Sequence, residues 1–307
     1  MSRPESRPER GPGGRPSLDP RTVRRTLDGA GLRARHALSQ NFLADVDVLE
    51  AILVEAGPTP GRRVLEIGPG LGILTAGLLE AGAEVTAVEV DPEMAAFVRS
   101  SQEAAIERGE RGEGGPGSLR LVRADALDLD LVTLVESPYD VVANLPYHIT
   151  SPILHRLLGS APRAERLVLM VQREVAERIA AAPGAMSYLS VFVQYHARAR
   201  VAFRVPREAF EPAPKVESAV LVLEPFASDD RLAPAAEDEL WRLVQAAFRE
   251  RRKMLHNVLH RQLPIPPERV DAALASVGIA PDRRPQTVAV GEWLALAAAL
   301  GPLPPMR

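Results

Sequence analysis

The chain has 307 residues and contains no cysteine. Without thiols it cannot form disulfide bonds, bind a metal through thiolates or attack a substrate with a cysteine nucleophile. Cysteine-dependent methylation of pyrimidine C5 atoms is therefore excluded as well. The sequence also lacks any run of about 18 apolar residues for a membrane span, and its N-terminus lacks the apolar core of a signal peptide. We expect a cytoplasmic protein with no membrane partner.

Aromatic residues and net charge are also scarce. Aromatics make up 4% of the residues, so any stacking on nucleic-acid bases must come from individual rings. The net charge of -3 does not suit a protein that binds nucleic acid indiscriminately. Positive charge is instead concentrated in three segments that can together form one basic face: Arg21–His36, Arg198–Arg207 and Arg249–Lys253.

The length and patterning of the chain indicate two domains after a tail. Residues 1–20 hold four Arg, five Pro and three Gly, a composition that buries too little apolar surface to fold, so we predict a disordered tail. Over residues 21–226, short apolar runs alternate with helical stretches, which is typical of βαβ units. We predict an α/β, Rossmann-like domain with a mostly parallel sheet there, and a small all-α domain over residues 227–307.

Individual elements can be predicted from the same pattern. The predicted strands are RVLEIG, EVTAVEV, LRLVRAD, YDVVANLPY, RLVLMVQ, ARVAFRVP and SAVLVLEP. Asp19 with Pro20 indicates the start of a short basic helix, and a second helix should run from Asp45 to Gly57. Residues 107–118 contain five glycines and no apolar residue, which predicts a flexible loop without a chemical role. In the C-terminal domain, helices are predicted over residues 234–262, 267–277 and 291–300.

Four consecutive predicted strands are each followed by residues suited to ligand binding. Open parallel sheets bind ligands at the carboxyl ends of their strands, where the strand order reverses. Alone, each group could be a turn or a helix cap, but four in register favour a nucleotide-type site. The groups are the glycine loop Gly68-Pro69-Gly70-Leu71-Gly72, Glu89 at the position of a ribose-binding carboxylate, Asp125 as an acceptor for an adenine amino group, and Asn144-Leu145-Pro146-Tyr147.

A nicotinamide-dependent dehydrogenase is the main alternative for the first two groups. Its fingerprint is GxGxxG, whereas this loop has GPGLG with Ile73 in place of the last glycine. Dehydrogenase chemistry also does not account for the tetrapeptide Asn144–Tyr147 after the fourth strand, whereas methyl transfer to an amino group does. The spacing therefore disfavours the dehydrogenase.

The tetrapeptide suits methylation of an exocyclic amine. The N6 lone pair of adenine is delocalised into the ring, so a site must favour a pyramidal amine aimed at the methyl donor. The side-chain oxygen of Asn144 and the carbonyl of Leu145 can each accept one N6 hydrogen, while Pro146 stiffens the turn and Tyr147 can stack on the base. The amine becomes acidic only after it gains the methyl group. Catalysis is then mainly positioning and electrostatics, without a required general base.

The sequence as a whole resembles the KsgA-type (RsmA) small-subunit ribosomal RNA adenine dimethyltransferases. The resemblance covers residues 33–300 and departs from the usual pattern at Ser39, where glycine is common, and at Glu217, where aspartate is common. It rests on SQNFL (39–43), EIGPGLG (66–72), ANLPYHITSP (143–152), VQREVAERI (171–179), FEPAPKVESAV (210–220) and AFRERRKMLHNVL (247–259).

The resemblance implies a class I S-adenosylmethionine-dependent fold and a substrate. The target adenine would be sandwiched between the rings of Tyr147 and Phe210. The substrate would be two adjacent adenosines in a hairpin loop near the 3′ end of small-subunit (16S) rRNA, in an immature 30S subunit, and the enzyme would act as a monomer. Unstacked loop bases are easily flipped into a pocket. S-adenosylmethionine would be bound by Asn41, Leu43, Gly68, Gly70, Glu89, Asp125 and Asn144.

Two other sets of residues have a helical spacing. His256 and His260 are four residues apart, but no acidic partner accompanies them, so we predict no metal site. His148 follows the tetrapeptide, yet the chemistry does not require a base and we give it no role. In the basic segment, Arg249, Arg251, Arg252 and Lys253 are expected to contact RNA phosphates.

Two alternative functions stay open. A large-subunit dimethyltransferase of the antibiotic-resistance type would share the cofactor and N6 motifs, although FEPAPKVESAV and RRKMLHNVL argue against it. The second alternative is an assembly factor that binds immature subunits and whose methylation activity is incidental. The intact tetrapeptide favours catalysis, and both roles can coexist.

Overall fold

A seven-stranded sheet forms the centre of the computed structural model, which describes residues 18–35, 38–110, 117–227 and 232–304. The spatial order of its strands is β4-β3-β2-β5-β6-β9-β7. Neighbouring strands from β4 to β6 are parallel, and β9 is antiparallel to β6. The strands are β2 Arg63–Ile67, β3 Glu84–Glu89, β4 Ser118–Arg123, β5 Asp140–Asn144, β6 Arg166–Gln172, β7 Ala197–Val205 and β9 Ser218–Pro225.

This sheet confirms the seven predicted strands and the mostly parallel α/β fold. Strands β2, β5 and β6 are buried almost throughout because helices cover both faces of a parallel sheet, so their sequences are continuous apolar runs. The chain passes from β2 outward to β3 and β4 and then returns to β5 on the other side of β2. The strand order thus reverses between β2 and β5, which is where this type of sheet binds ligands.

The helices of the sheet unit have clear start and stop signals. Asp19 caps α1 by accepting from the backbone of Thr22, and Asp45 caps α2, which ends at Gly57 with φ +56°. Both confirm the predicted helices. The helices are α1 Pro20–Gly29, α2 Val46–Ala56, α3 Ile73–Glu80, α4 Pro92–Ser101, α5 Glu103–Glu110 and α6 Thr150–Gly159.

A second, two-stranded sheet was not predicted. Its strands are β1 Phe42–Leu43 and β8 Phe210–Glu211, which pair antiparallel with Leu43 opposite Phe210. Two-residue strands have no periodicity to detect in a sequence. The pair nevertheless ties the segment before α2 to the segment before β9.

Contacts between Cα atoms divide the chain into two compact units. The first contains the described residues up to Arg173 together with Val201–Leu223, and the second contains Glu174–Arg200 with the described residues from Glu224 on. These units differ from the boundary predicted at residue 226. The chain also forms α7 Arg173–Ile179. The difference arises because α8 Tyr188–His196 carries side chains, such as Val191 and Tyr195, that lie in the core of the helical unit.

The helical unit contains α9 Pro234–Phe248, α10 Leu255–Gln262, α11 Pro267–Ser276 and α12 Val290–Leu300. The last two confirm the predicted helices. The helix predicted over residues 234–262 is wrong in one respect, because residues 249–254 form a turn that separates α9 from α10. Leu255, the first residue of α10, is fully buried in the unit's core, and its backbone N–H donates to the carbonyl of Arg283 at 2.7 Å.

Two predicted features lie partly outside the described residues. These are residues 1–17 of the predicted tail and residues 111–116 of the predicted loop. Residues 107–110 of that loop instead continue α5. Within the described ranges, no helix is long and apolar enough to cross a bilayer.

Candidate active site

A cavity opens at the carboxyl ends of β4, β3, β2 and β5, where the strand order reverses. It brings together the four groups that follow the predicted strands, together with the segment before α2. We call residues 38–43 the entrance loop. The predicted site residues that line the cavity are Asn41, Leu43, Gly68, Gly70, Glu89, Asp125, Asn144, Leu145, Pro146 and Tyr147.

The glycine loop after β2 turns in a left-handed conformation that only glycine adopts without strain. Gly68 has a φ of +71° and Gly70 has a φ of +55°. A Cβ atom at Gly70 would lie 3.1 Å from the ring of Phe42 in the entrance loop, and one at Gly68 would lie 3.5 Å from Pro146. The loop therefore packs closely against both flanking segments, and its backbone forms one wall of the cavity.

Glu89, the last residue of β3, is nearly buried beside the glycine loop. One carboxylate oxygen accepts the backbone N–H of Gly70 at 3.0 Å, and the other accepts that of Asp91 at 2.9 Å. Burial raises the pKa of Glu89, while the two backbone donors act to lower it. The carboxylate is held in one orientation at the cavity wall, with lone pairs left for further donors.

Glu66, a second buried carboxyl group at this cavity, was not singled out from the sequence. It lies in β2, and its carboxyl oxygen accepts the hydroxyl of Thr75 at 2.7 Å. Burial, with a smaller contribution from the nearby Glu89, raises the pKa of Glu66 to about 8, although the hydrogen bond from Thr75 acts to lower it. The group therefore favours its neutral form near neutral pH, which a pattern of apolar and polar residues cannot reveal.

Asn144, the last residue of β5, is oriented by the entrance loop. Its side-chain Nδ2 donates to the backbone carbonyl of Asn41 at 3.1 Å. Because a carbonyl only accepts, this bond fixes which end of the amide faces Asn41 and turns Oδ1 the other way. No described residue donates a hydrogen bond to that Oδ1.

The rest of the tetrapeptide forms a turn that leads into α6. The backbone N–H of Leu145 donates to the carbonyl of Met170 on the neighbouring strand at 3.1 Å, which fixes the start of the turn. The hydroxyl of Tyr147 is hydrogen-bonded to that of Ser218 at 2.8 Å, and the Ser218 side chain is fully buried at the start of β9. The hydrogen bond to Ser218 thus holds the tyrosine in place, and the side chain lines the cavity.

The entrance loop contains a strained residue at a position where the resemblance led us to expect glycine. Ser39 has a φ of +52°. Among the described residues it is the single non-glycine residue with a positive φ. Its hydroxyl is hydrogen-bonded to Nδ1 of His148 at 3.2 Å, and its carbonyl accepts Nδ2 of Asn41 at 3.0 Å. A left-handed conformation of this kind favours glycine. His148 thus contacts the entrance loop.

Asp125 lines the cavity, whereas Phe210 does not. Asp125 follows β4, and one of its carboxylate oxygens accepts the backbone N–H of Leu127 at 2.8 Å, which leaves the other oxygen for a ligand. Phe210 is not among the cavity-lining residues and is 2% exposed, packed in the core of the sheet unit opposite Leu43. Its predicted contact with the target base stays a prediction.

The basic run before α10 is not on a helix face as predicted, because it lies in the turn between α9 and α10. Arg251, Arg252 and Lys253 are exposed there, while Arg249 donates to the side chain of Gln262 at 2.9 Å. The bend at residues 249–254 projects these cations into solvent. His36, at the end of the first basic segment, lies outside the described residues.

The two helical histidines have other partners. A ring nitrogen of His256 is hydrogen-bonded to the carbonyl of Pro281 at 2.6 Å, and His260 is bonded to Asp271 at 2.9 Å. The described residues contain no group of three or more potential protein ligands for a metal ion.

The cavity fits S-adenosylmethionine in three respects. The Gly70 backbone closes against Phe42 where any side chain would fill the space. Glu89 presents an oriented carboxylate for ribose hydroxyls, and Asp125 has an oxygen available for an amino group. Apolar side chains, including Val90, line the space between them, as a purine ring requires.

Comparison with known proteins agrees with this geometry. A family model of ribosomal RNA adenine dimethylases matches residues 31–300. The "Ribosomal RNA small subunit methyltransferase A" of Anaeromyxobacter sp. (strain K) is 42% identical over 291 residues, which cover 91% of this chain and 97% of that protein. The protein of the same name from Sphingopyxis alaskensis is 41% identical and is covered to 98%.

Solved structures show the same fold. The 23S rRNA methyltransferase ErmE is 30% identical with a TM-score of 0.66, over 85% of this chain and 99% of ErmE. A dimethyladenosine transferase from Plasmodium falciparum is 26% identical with a TM-score of 0.67, over 83% and 95% of the two chains. These matches confirm the resemblance noted in the sequence. The chain belongs to the ribosomal RNA adenine dimethylase family, whose members use S-adenosylmethionine to dimethylate adenine in ribosomal RNA.

Proposed function

We propose that this enzyme dimethylates N6 of two adjacent adenosines in a hairpin loop near the 3′ end of small-subunit (16S) rRNA. The relatives named for the small subunit are about 40% identical over nearly their whole length, compared with 30% for ErmE, which is named for 23S rRNA. The segments FEPAPKVESAV and RRKMLHNVL also favour the small-subunit type. A hairpin loop suits the chemistry, because its unstacked bases are easily flipped into the cavity.

The observation that carries this proposal is the orientation of Asn144. Its Nδ2 is engaged by the carbonyl of Asn41, so Oδ1 is the atom available to a ligand amine. An acceptor at the end of β5, next to the Leu145 carbonyl, is what a poorly nucleophilic adenine N6 needs. A site built for hydroxyl or carbon methylation would need a base instead.

The cofactor would be held by the residues that surround the cavity. When bound, S-adenosylmethionine supplies an electrophilic methyl group on a sulfonium. Glu89 would bind the ribose hydroxyls, Asp125 would accept from the cofactor's amino group, and the glycine loop would lie against the methionine end. The full set is Asn41, Leu43, Gly68, Gly70, Glu89, Asp125 and Asn144.

Four groups of the chain would then act on the target adenine. Asn144 Oδ1 and the Leu145 carbonyl accept the two N6 hydrogens, which favours a pyramidal amine whose lone pair is less delocalised into the ring and points at the methyl group. Pro146 keeps the turn rigid, and the ring of Tyr147 stacks on the base. After transfer, the methylated amine loses a proton to solvent, so no side chain needs to be the base. Phe210 would complete the base sandwich only after leaving its buried position.

RNA binding is assigned to the turn between α9 and α10. Arg251, Arg252 and Lys253 are exposed there, with Glu250 as an acidic neighbour of Lys253, and Arg249 lies at the start of the turn. Phosphates on RNA would neutralise these cations and release counterions.

We place the enzyme in the cytoplasm, as a monomer that binds immature 30S subunits. The domains would be a catalytic domain over residues 21–226 and an RNA-binding domain over residues 227–307.

Mass spectrometry of ribosomal RNA from cells that lack this protein tests the proposal. We expect dimethyladenosine to disappear from the hairpin near the 3′ end of small-subunit rRNA and to remain in large-subunit rRNA. The wild-type gene should restore it. Loss from large-subunit rRNA would instead support the ErmE-like alternative, and no loss would contradict the proposal. Accumulation of immature subunits in cells carrying an inactive enzyme would separate the assembly role from methylation.

A further inference from the structure

The N-terminal helix α1 has two faces of opposite character. Val23 and Leu27 are buried on one side, where they pack with Leu71 of the glycine loop and Phe42 of the entrance loop. At 3.6 residues per turn, Arg25 lies almost directly opposite this buried face, with Arg21 beside it. The helix is therefore an amphipathic element whose outer face is basic.

Helix α1 packs against residues that line the cavity and is hydrogen-bonded to the small sheet. Leu71 and Phe42 both line the cavity, so α1 packs on the outer side of its wall. Arg24 donates two hydrogen bonds, of 2.8 and 3.1 Å, to the carboxylate of Glu211 in β8. The helix is thus fastened to both strands of the small sheet, and its outer face lies about one helix diameter, about 10 Å, from the cavity.

The two outer arginines are not held in a close ion pair. Arg25 donates to the hydroxyl of Thr22 at 3.2 Å and interacts electrostatically with Asp19, and neither Arg21 nor Arg25 forms a hydrogen-bonded ion pair with a described carboxylate. Asp19, the nearest acid at the start of the helix, is engaged in capping it. Asp28 is the acidic residue on the outer face, one turn further along. The family model begins at residue 31, after α1 has ended.

We propose that the outer face of α1 binds the RNA backbone next to the flipped adenine, with Arg21 and Arg25 each contacting a phosphate. The partner must be polyanionic, because the face presents exposed guanidinium groups and little apolar surface. A base inserted into the cavity leaves its flanking phosphates outside it, and α1 packs on Phe42 and Leu71 of the cavity wall. This inference rests on the proposed function, since it requires that an RNA base enters this cavity.

The test measures binding to immature small subunits purified from cells that lack the enzyme, over a range of salt concentrations. The full-length Arg21→Ala/Arg25→Ala variant is compared with wild type and with an Arg63→Ala/Arg166→Ala control. Arg63 and Arg166 begin β2 and β6, at the opposite end of the strands from the cavity. The control therefore removes the same charge at a distance from the site.

The slope of log affinity against log salt should become shallower by roughly 1.4–1.8 in the α1 variant, at about 0.7–0.9 per phosphate. The control slope should match wild type, and S-adenosylmethionine affinity, measured by calorimetry, should be unchanged in both. Asp28→Asn, which removes the opposing charge from the same face, should tighten RNA binding.

Three results would overturn the inference: an unchanged slope in the α1 variant, an equal change in the control, or no effect of Asp28→Asn. The proposed function fails separately, because in that case the wild-type enzyme would not methylate the subunits at all. If the wild type methylates them and the α1 variant keeps its full salt slope, only the role of α1 is wrong.

Discussion

The side-chain Nδ2 of Asn144 donates to the backbone carbonyl of Asn41, over a distance of 3.1 Å and between segments 103 residues apart in the chain. This bond joins the catalytic turn to the entrance loop and fixes the direction of the Asn144 amide. In the proposed mechanism, the loop that would contact the cofactor thereby also orients the group that would act on the adenine. Displacement of the entrance loop should impair methyl transfer even if the tetrapeptide itself is intact.

Replacing Glu89 by alanine should weaken S-adenosylmethionine binding strongly. The carboxylate would accept from ribose hydroxyls, and a charge-assisted interaction of this type contributes roughly 1.5–3 kcal/mol. Calorimetry on the folded variant should show a Kd about 10- to 100-fold higher. An unchanged Kd would remove Glu89 from the cofactor site and leave it as a structural cap for the glycine loop.

The strain at Ser39 can be measured with two substitutions. Both Ser39→Gly and Ser39→Ala remove the hydroxyl that contacts His148, but only glycine relaxes the backbone at φ +52°. The glycine variant should therefore be more stable than the alanine variant by about 1 kcal/mol. Urea denaturation compares their free energies of unfolding. Equal stability, or greater stability of the alanine variant, would show that the conformation is unstrained.

The hydrogen bond between Tyr147 and Ser218 should position the tyrosine ring against the base. Ser218→Ala removes the partner hydroxyl, and Tyr147→Phe removes the other half of the bond but keeps the ring. Each should slow single-turnover methylation by about 2- to 10-fold, equivalent to roughly 0.5–1.5 kcal/mol. The double variant should be no slower than either single one. Multiplied effects in the double variant would mean that the two residues act independently.

Glu66 should make the stability of the protein depend on pH. Its pKa is raised from 4.5 to about 8 in the folded protein, so the folded state keeps a proton that the unfolded chain releases between these values. The stabilisation from this proton is complete below pH 4.5 and is lost as pH rises through 8.

The variant Glu66→Gln should remove this dependence, because glutamine is neutral at every pH and can still accept from Thr75. The free energy of unfolding of Glu66→Gln, relative to wild type, should rise with pH above 5, by at most about 1.4 kcal/mol per unit. Urea denaturation at pH 5, 7 and 9 measures it. Parallel pH profiles for the two proteins would contradict the raised pKa.

Most of the sheet and of the site could be predicted because both depend on local sequence. Buried parallel strands such as β5 require continuous apolar runs, and the residues just after them are at the ligand-binding edge by topology alone. Eight residues predicted at the strand ends, among them Glu89 and Asn144, line one cavity together with Asn41 and Leu43, which the family resemblance implied. The caps of α1 and α2 are short-range signals and were also predicted.

The remaining features depend on long-range packing. The pairing of β1 with β8 joins two residues to two others far along the chain, and no pattern marks it. The turn at residues 249–254 interrupts a helical periodicity that the sequence continues, and Leu255 after it is buried in the helical core. Burial of Phe210 and the raised pKa of Glu66 likewise arise from neighbours that only the folded chain provides.

The most direct test of the central claim compares Asn144→Ala with wild type in single-turnover methylation and in RNA binding on the same immature small subunits. The Asn144 amide is proposed to act on N6 during transfer, while the RNA is held by basic residues elsewhere. We predict that the methylation rate falls by about 100-fold or more, as when one positioned polar group of an active site is removed, and that RNA affinity changes less than about 3-fold. A loss of RNA affinity as large as the loss of rate, or an unchanged rate, would contradict the account.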